Sequence, residues 1–227
     1  MTDTTPLADN TPVIVGLGQY VERIEQDSTP AFHPPMELAA RAARSALSDA
    51  GTDATHIDTI AVMRLFSDSA EAWASPFGGS NNPPESIAKR IGATPRERIY
   101  SSASGAQPMK ILLEMTMDVA SGERDMVLLA GAEAIASQRF AMRNGHELDW
   151  REEFDVAMDS REHEIRMASR GEIHSGMFLP AHFYALIENH QASALGHDND
   201  QHRQHMAQLL APFSEVAAHN PYAQKPH

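Results

Sequence analysis

At 227 residues, with 42% apolar and 22% charged side chains, the chain is long enough for one large domain and too apolar for a disordered one. Eighteen Lys and Arg against 31 Asp and Glu leave a net charge of −13, a surface that repels phosphate backbones and argues against nucleic acid as a partner. The chain has no cysteine, which removes disulfides, thiolate metal sites and any cysteine nucleophile together.

No run approaches the roughly 20 apolar residues of a membrane helix. The polar start "MTDTTPLADNTP" lacks the basic region and apolar core of a signal peptide, so a soluble cytoplasmic protein is the expectation. After that tail, "PVIVGLGQY" predicts a short buried strand. Pro34 and Pro35 open a helix over "MELAARAARSALSDAG", with Leu38, Ala42, Ala46 and Ala50 at helical spacing and Gly51 as its stop. "IDTIAVMRLF" predicts a second strand, and the loop "SPFGGSNNPP" leads into the short helix "ESIAKRIGA".

"RERIYSSA" predicts a third strand. The helix from Gln107 to Ala120 follows, with Met109, Leu112, Leu113, Thr116 and Val119 as its apolar face. "SGERD" closes that helix, and "MVLLAGAEA" has the continuous apolar content of a parallel strand buried on both sides. Strands and helices that alternate in this way predict an α/β fold, a mostly parallel sheet with helices on both faces. The α/β part is placed at residues 11–136, and a helical region at 137–227. In the latter, "REEFDVAMDSREHEIR" predicts an exposed helix, and two further helices meet at Gly196.

The turn "YSSASGAQPMK", Tyr100 to Lys110, crowds three serines and a glycine between a strand and a helix. The run from "ERIYSSASG" through "VASGERD" to "AGAEA" resembles the thiolase superfamily, in particular its thiolase-like, acetyl-CoA acetyltransferase-annotated group. Ser104-Gly105, Gly122, Asp125 and the stretch Ala130 to Glu133 occur in the order of that family's Cys-x-Ser-Gly turn, helix end and "AGGxE" strand. "PVIVGLGQY" and "PMELAARAARSALSDAG" are similar to a thiolase amino-terminal half, and "MFLPAHFYALIENHQASALG" to its helical loop segment.

The resemblance implies a thiolase-like half-domain and an acyl-CoA acyltransferase that makes or breaks a carbon–carbon bond, with coenzyme A or acyl-CoA as substrate and no bound cofactor. It puts Ser102 at the nucleophile position, with Ser104 as the alternative; the residues themselves place Gly105 and Ala106 at a helix N-terminus that can bind an anion or a carbonyl. It makes Glu133 a structural carboxylate that holds backbone N–H groups. The sequence is expected to stop before the family's carboxy-terminal half, so the chain alone is expected to be inactive. Its partner is then a second copy or a subunit that supplies that half. A non-catalytic CoA-thioester-binding or scaffold subunit is one alternative, and a cysteine-free thiolase-like carbon–carbon lyase subunit is another.

Read from the residues alone, the serines stay open between an acyl acceptor and small residues that let strand and helix pack closely. A serine hydroxyl needs an adjacent base, and none lies near in sequence. The "GLG" at Gly16 to Gly18 is not a dinucleotide loop, since the third glycine falls on Val21 and no helix opens there. Ten of the twelve histidines follow Ala136. His202 and His205 share a helical spacing with His197 and Asp198 upstream, yet read as a solvated face, and no metal is expected. His182 and His190 read as packing residues or as the lining of an acyl tunnel. Met109, Met115 and Met117 read as core or as a dimer contact.

Overall fold

A computed structural model of the chain describes residue 8 and residues 10–24, 31–161, 169–177 and 179–223. The contacts divide it into two compact units, Met1–His163 and Glu164–His227. In the first unit the elements run α1 (Pro35–Ala50), β1 (Thr59–Val62), α2 (Pro83–Ile91), β2 (Glu97–Tyr100), α3 (Gln107–Ser121), β3 (Val127–Ala130), α4 (Ile135–Arg143) and β4 (Asp159–Ser160). Together β1 to β4 form one sheet in the order β3-β1-β2-β4, with every pairing parallel.

The period-two alternation of the strands decides what covers each face. Ile60, Val62, Tyr100 and Leu128 pack with Met36, Ala39 and Ala43 of α1 and with Ile87 and Ala88 of α2. Ala61 and Ile99 point the other way, onto Ile111 and Met115 of α3. Helices thus cover both faces of the sheet, as the sequence pattern predicts. Each fully buried isoleucine contributes about 1.5–3 kcal/mol of transfer free energy. Gly51 and Gly122 end α1 and α3 where expected, while α2 stops at Gly92, within the stretch read as helix; all three glycines are in the left-handed conformation.

Four expectations fail. "PVIVGLGQY" forms no strand, and Val13, Ile14, Val15 and Leu17 are exposed. Its glycines lie against α1 instead: a Cβ on Gly18 would sit 2.0 Å from the Ala42 carbonyl oxygen, and one on Gly16 would sit 2.2 Å from that of Ala46. "MVLLAGAEA" does form β3, but as an edge strand in which only Leu128 is buried. The buried line of α3 is Gln107, Ile111 and Met115, while Met109 and Leu113 of the expected face are 69% and 63% exposed.

Residues 151–161 form no helix, and 162–166 of that predicted helix lie outside the described residues. The backbone there bonds across, not along. Glu152 N–H donates to the Gly79 carbonyl (3.1 Å), Phe154 N–H to Asn81 Oδ1 (2.9 Å), and Asp159–Ser160 pair with Ile99–Tyr100.

The second unit holds α5 (Arg170–His174), α6 (Pro180–Leu195) and α7 (Asn199–Ala218). The two long helices match the sequence reading, with Gly196 ending α6 and a capping box from Asp198 opening α7. Across α6 and α7 the one buried residue is His202.

Candidate functional site

The serine-rich turn is held from its strand side. Ser101 N–H continues the β1–β2 ladder by donating to the Val62 carbonyl at 2.9 Å. Ser101 Oγ accepts from Arg64 N–H at 3.0 Å and donates to the Ser102 carbonyl at 2.9 Å. The Arg64 guanidinium ties three segments together. Its Nε donates to the Ser101 carbonyl (2.8 Å), its Nη2 reaches Ser160 Oγ (2.9 Å) and the Arg161 carbonyl (3.2 Å), and its plane lies 4.4 Å from the centre of the Tyr100 ring. Such a clamp fixes where strand β2 ends and the turn begins.

Beyond the clamp, Ser102 is buried and Ala103 to Ala106 are exposed. Ser104 takes up the first N–H groups of α3: its Oγ accepts from Ala106 (3.3 Å) and its carbonyl from Gln107 (3.1 Å). Ala106, at the N-cap, offers no side-chain cap. The backbone N–H groups of Ser104 and Gly105 make no hydrogen bond among the described residues, and a Cβ on Gly105 would meet open space. Two free donors beside a buried hydroxyl can polarise a carbonyl oxygen.

Neither serine is bonded to a base among the described residues. The described histidines of the first unit are engaged elsewhere: His33 with Glu22 and Arg41, His56 with Thr52 and Asp53, and His146 in ring contact with Phe32 and Phe140.

At the carboxyl ends of β1 and β3 lies a cavity of about 450 Å³ that the serine turn does not line. Leu65, Phe66, Trp73, Glu133, Arg139 and Trp150 are among its walls. Sequence reading assigned only Glu133 of these. Its Oε1 accepts from Phe66 N–H at 2.7 Å, the backbone-holding role expected of it. Burial, together with the charge of Asp68, pushes its carboxyl above the ordinary carboxylate range. Tyr100 braces the same wall. Its hydroxyl donates to Asp68 at 2.5 Å and accepts from Leu65 N–H at 2.9 Å, and burial followed by the Asp68 bond raises its pKa so that it stays protonated. Arg64 and Tyr100 went unassigned because they work through partners 32 to 97 residues apart, which no local motif records.

The second unit changes the reading of one histidine. His202 is buried, not part of a solvated face, and its Nε2 lies 2.7 Å from Glu188. Its ring neighbours those of His197 and His205, with centroids 5.5 to 6.2 Å apart, yet no group of three such side chains among the described residues is arranged to hold a metal ion. His205 and His190 are exposed and His182 is half-buried. None of the described helices is long and apolar enough to cross a membrane.

No family model and no curated protein matches the chain. Among solved structures, it is similar to a monomeric SCP2-thiolase like protein type 1 from Mycobacterium smegmatis, at 30% identity and a TM-score of 0.69. The match covers 98% of this chain and 38% of that protein. With its parallel sheet, two covered faces and a serine turn between β2 and α3, the chain has a thiolase-like fold.

Proposed function

We propose that this chain binds an acyl-CoA thioester within a thiolase-type acyl-transfer system and does not turn it over by itself. The observation that carries the reading is the turn after β2. A buried Ser102 stands beside the free N–H groups of Ser104 and Gly105, with no base bonded to either serine among the described residues. Such a turn can orient and polarise a thioester carbonyl. It cannot generate the alkoxide that acyl transfer to serine requires, because an unassisted hydroxyl holds its proton at neutral pH.

In a thiolase-type cycle the acyl group leaves the coenzyme A sulfur for a nucleophile, and a carbon–carbon bond then forms or breaks. The nucleophile and base come from a companion subunit. The line of Met109, Leu113 and Met117 along α3, each more than 60% exposed, supports a face for contact with another chain.

Thermal melting with coenzyme A or acetyl-CoA, paired with a free-thiol assay, tests the proposal. The melting temperature should rise on the order of 5–10 °C once ligand reaches about 100 times Kd, with no thiol released, and Ser102→Ala should leave the rise unchanged. Absence of any shift removes the binding claim, and release of thiol by the chain alone overturns the inactivity.

A further inference from the structure

The cavity above β1 and β3 is separate from the serine turn, and its chemistry is of another kind. Its volume of about 450 Å³ falls within the range of small-molecule sites, roughly 300–1,000 Å³. Phe66 and Trp73 lie tilted against each other at 5.1 Å between ring centres while both stay about half exposed. An aromatic pair of that size left facing a concave space is unusual unless something covers it. Trp150 closes the opposite wall, held in place by its indole N–H on the Phe32 carbonyl at 3.0 Å and by the edge of Phe77 at 5.4 Å.

Charge sets what can enter. Glu152 on the wall is already neutralised by Arg90 at 2.6 Å, and Asp68 nearby carries the Tyr100 bond. Glu133 is different. It accepts one backbone N–H and has no cation within salt-bridge distance among the described residues. Arg139, in the same lining, forms no ion pair with it, and both side chains are solvent-exposed. Glu133 is the one held in place: Phe66 N–H fixes its Oε1, so its second oxygen can accept from a cation with little further ordering, whereas no such tether holds Arg139 among the described residues. Aromatic faces add to that preference through their attraction for ammonium groups.

We propose that this cavity binds a small organic ammonium, a protonated amine on an apolar or aromatic body, with the cation on Glu133 and the body between Phe66, Trp73 and Trp150. The proposal is independent of the thioester reading, since the two sites share no lining residue.

The chain contains two tryptophans, Trp73 and Trp150, and both line the cavity, so intrinsic fluorescence reports its occupancy without a label. The full chain is titrated with phenethylamine, with the neutral phenethyl alcohol and with phenylacetate. The amine should give a saturable change in emission, with affinity at least about tenfold above that of the alcohol, and phenylacetate should give none. Glu133→Gln keeps the acceptor for Phe66 N–H and should weaken the amine about tenfold or more at unchanged circular dichroism, while Arg139→Ala should leave it as tight or tighter. The proposal is overturned by no saturable response to the amine up to about 10 mM, by equal affinity for the alcohol, by tighter binding of phenylacetate, or by a folded Glu133→Gln that binds as well as the parent.

Discussion

Glu133 shows how one carboxylate can be tied into the fold at a cost to stability. Its bond from Phe66 N–H positions the loop after β1, yet burial and the Asp68 charge raise its pKa above the ordinary 4.5. The native state therefore holds this proton to higher pH than the unfolded chain does. The contribution to stability is most favourable below about pH 4.5 and is lost as pH rises through the raised folded value. Glutamine keeps the acceptor without the charge. Glu133→Gln should thus be more stable than the parent at neutral pH, with the gap closing as pH falls toward 4. Urea unfolding at the two pH values checks this, and an equal gap at both would contradict it. Arg64 and Tyr100, on the neighbouring wall, carry bonds of fixed polarity, and the protonated tyrosine adds no pH dependence in that range.

At the scale of the element, α3 separates pattern from packing. The helix carries apolar residues on more than one side, and the sheet selects the line Gln107, Ile111, Met115 over Met109 and Leu113. Met115→Ala opens a hole under the sheet and should cost about 2–5 kcal/mol. Met117→Ala, at a position 64% exposed, should change the stability of a single chain by less than about 0.5 kcal/mol. Denaturant midpoints of the two variants measure the difference. The helices with strong punctuation were legible in sequence: Pro34-Pro35 and Gly51 bound α1, and Asp198 opens α7. By contrast α4 went unread, since Ala134 supplies no capping side chain and no proline marks its start. The segment 13–17 has the composition of a strand, but composition does not say whether a partner lies alongside. The serine turn was legible through the family order of its motifs. The aromatic cavity was not, because its walls come from four separated segments around residues 34–36, 65–80, 133–142 and 150–152.

Across the whole molecule, apolar surface is left uncovered in each unit taken alone. In the first, Val13 to Leu17 and the α3 line of Met109, Leu113 and Met117 face outward. In the second, Leu209, Leu210, Phe213 and Val216 on α7 are all more than half exposed. Exposure on this scale is characteristic of surfaces that meet another chain. Native mass spectrometry should find species heavier than one chain. Leu113→Asp should move the population toward the single chain with secondary structure retained, and a uniformly monomeric parent would contradict the contact face on α3.

The three four-residue strands β1, β2 and β3 are paired without stagger: Thr59 lies level with Glu97 and Val127, and Val62 with Tyr100 and Ala130. Their upper ends therefore share one plane, from which the Arg64 clamp, the serine turn and the Glu133 wall all depart. A single-residue insertion within any of these strands turns its remaining side chains to the opposite face and shifts one departure point against the other two. Length variation among relatives should accordingly fall between strands, as in the stretch from 66 to 82, and be absent from within them.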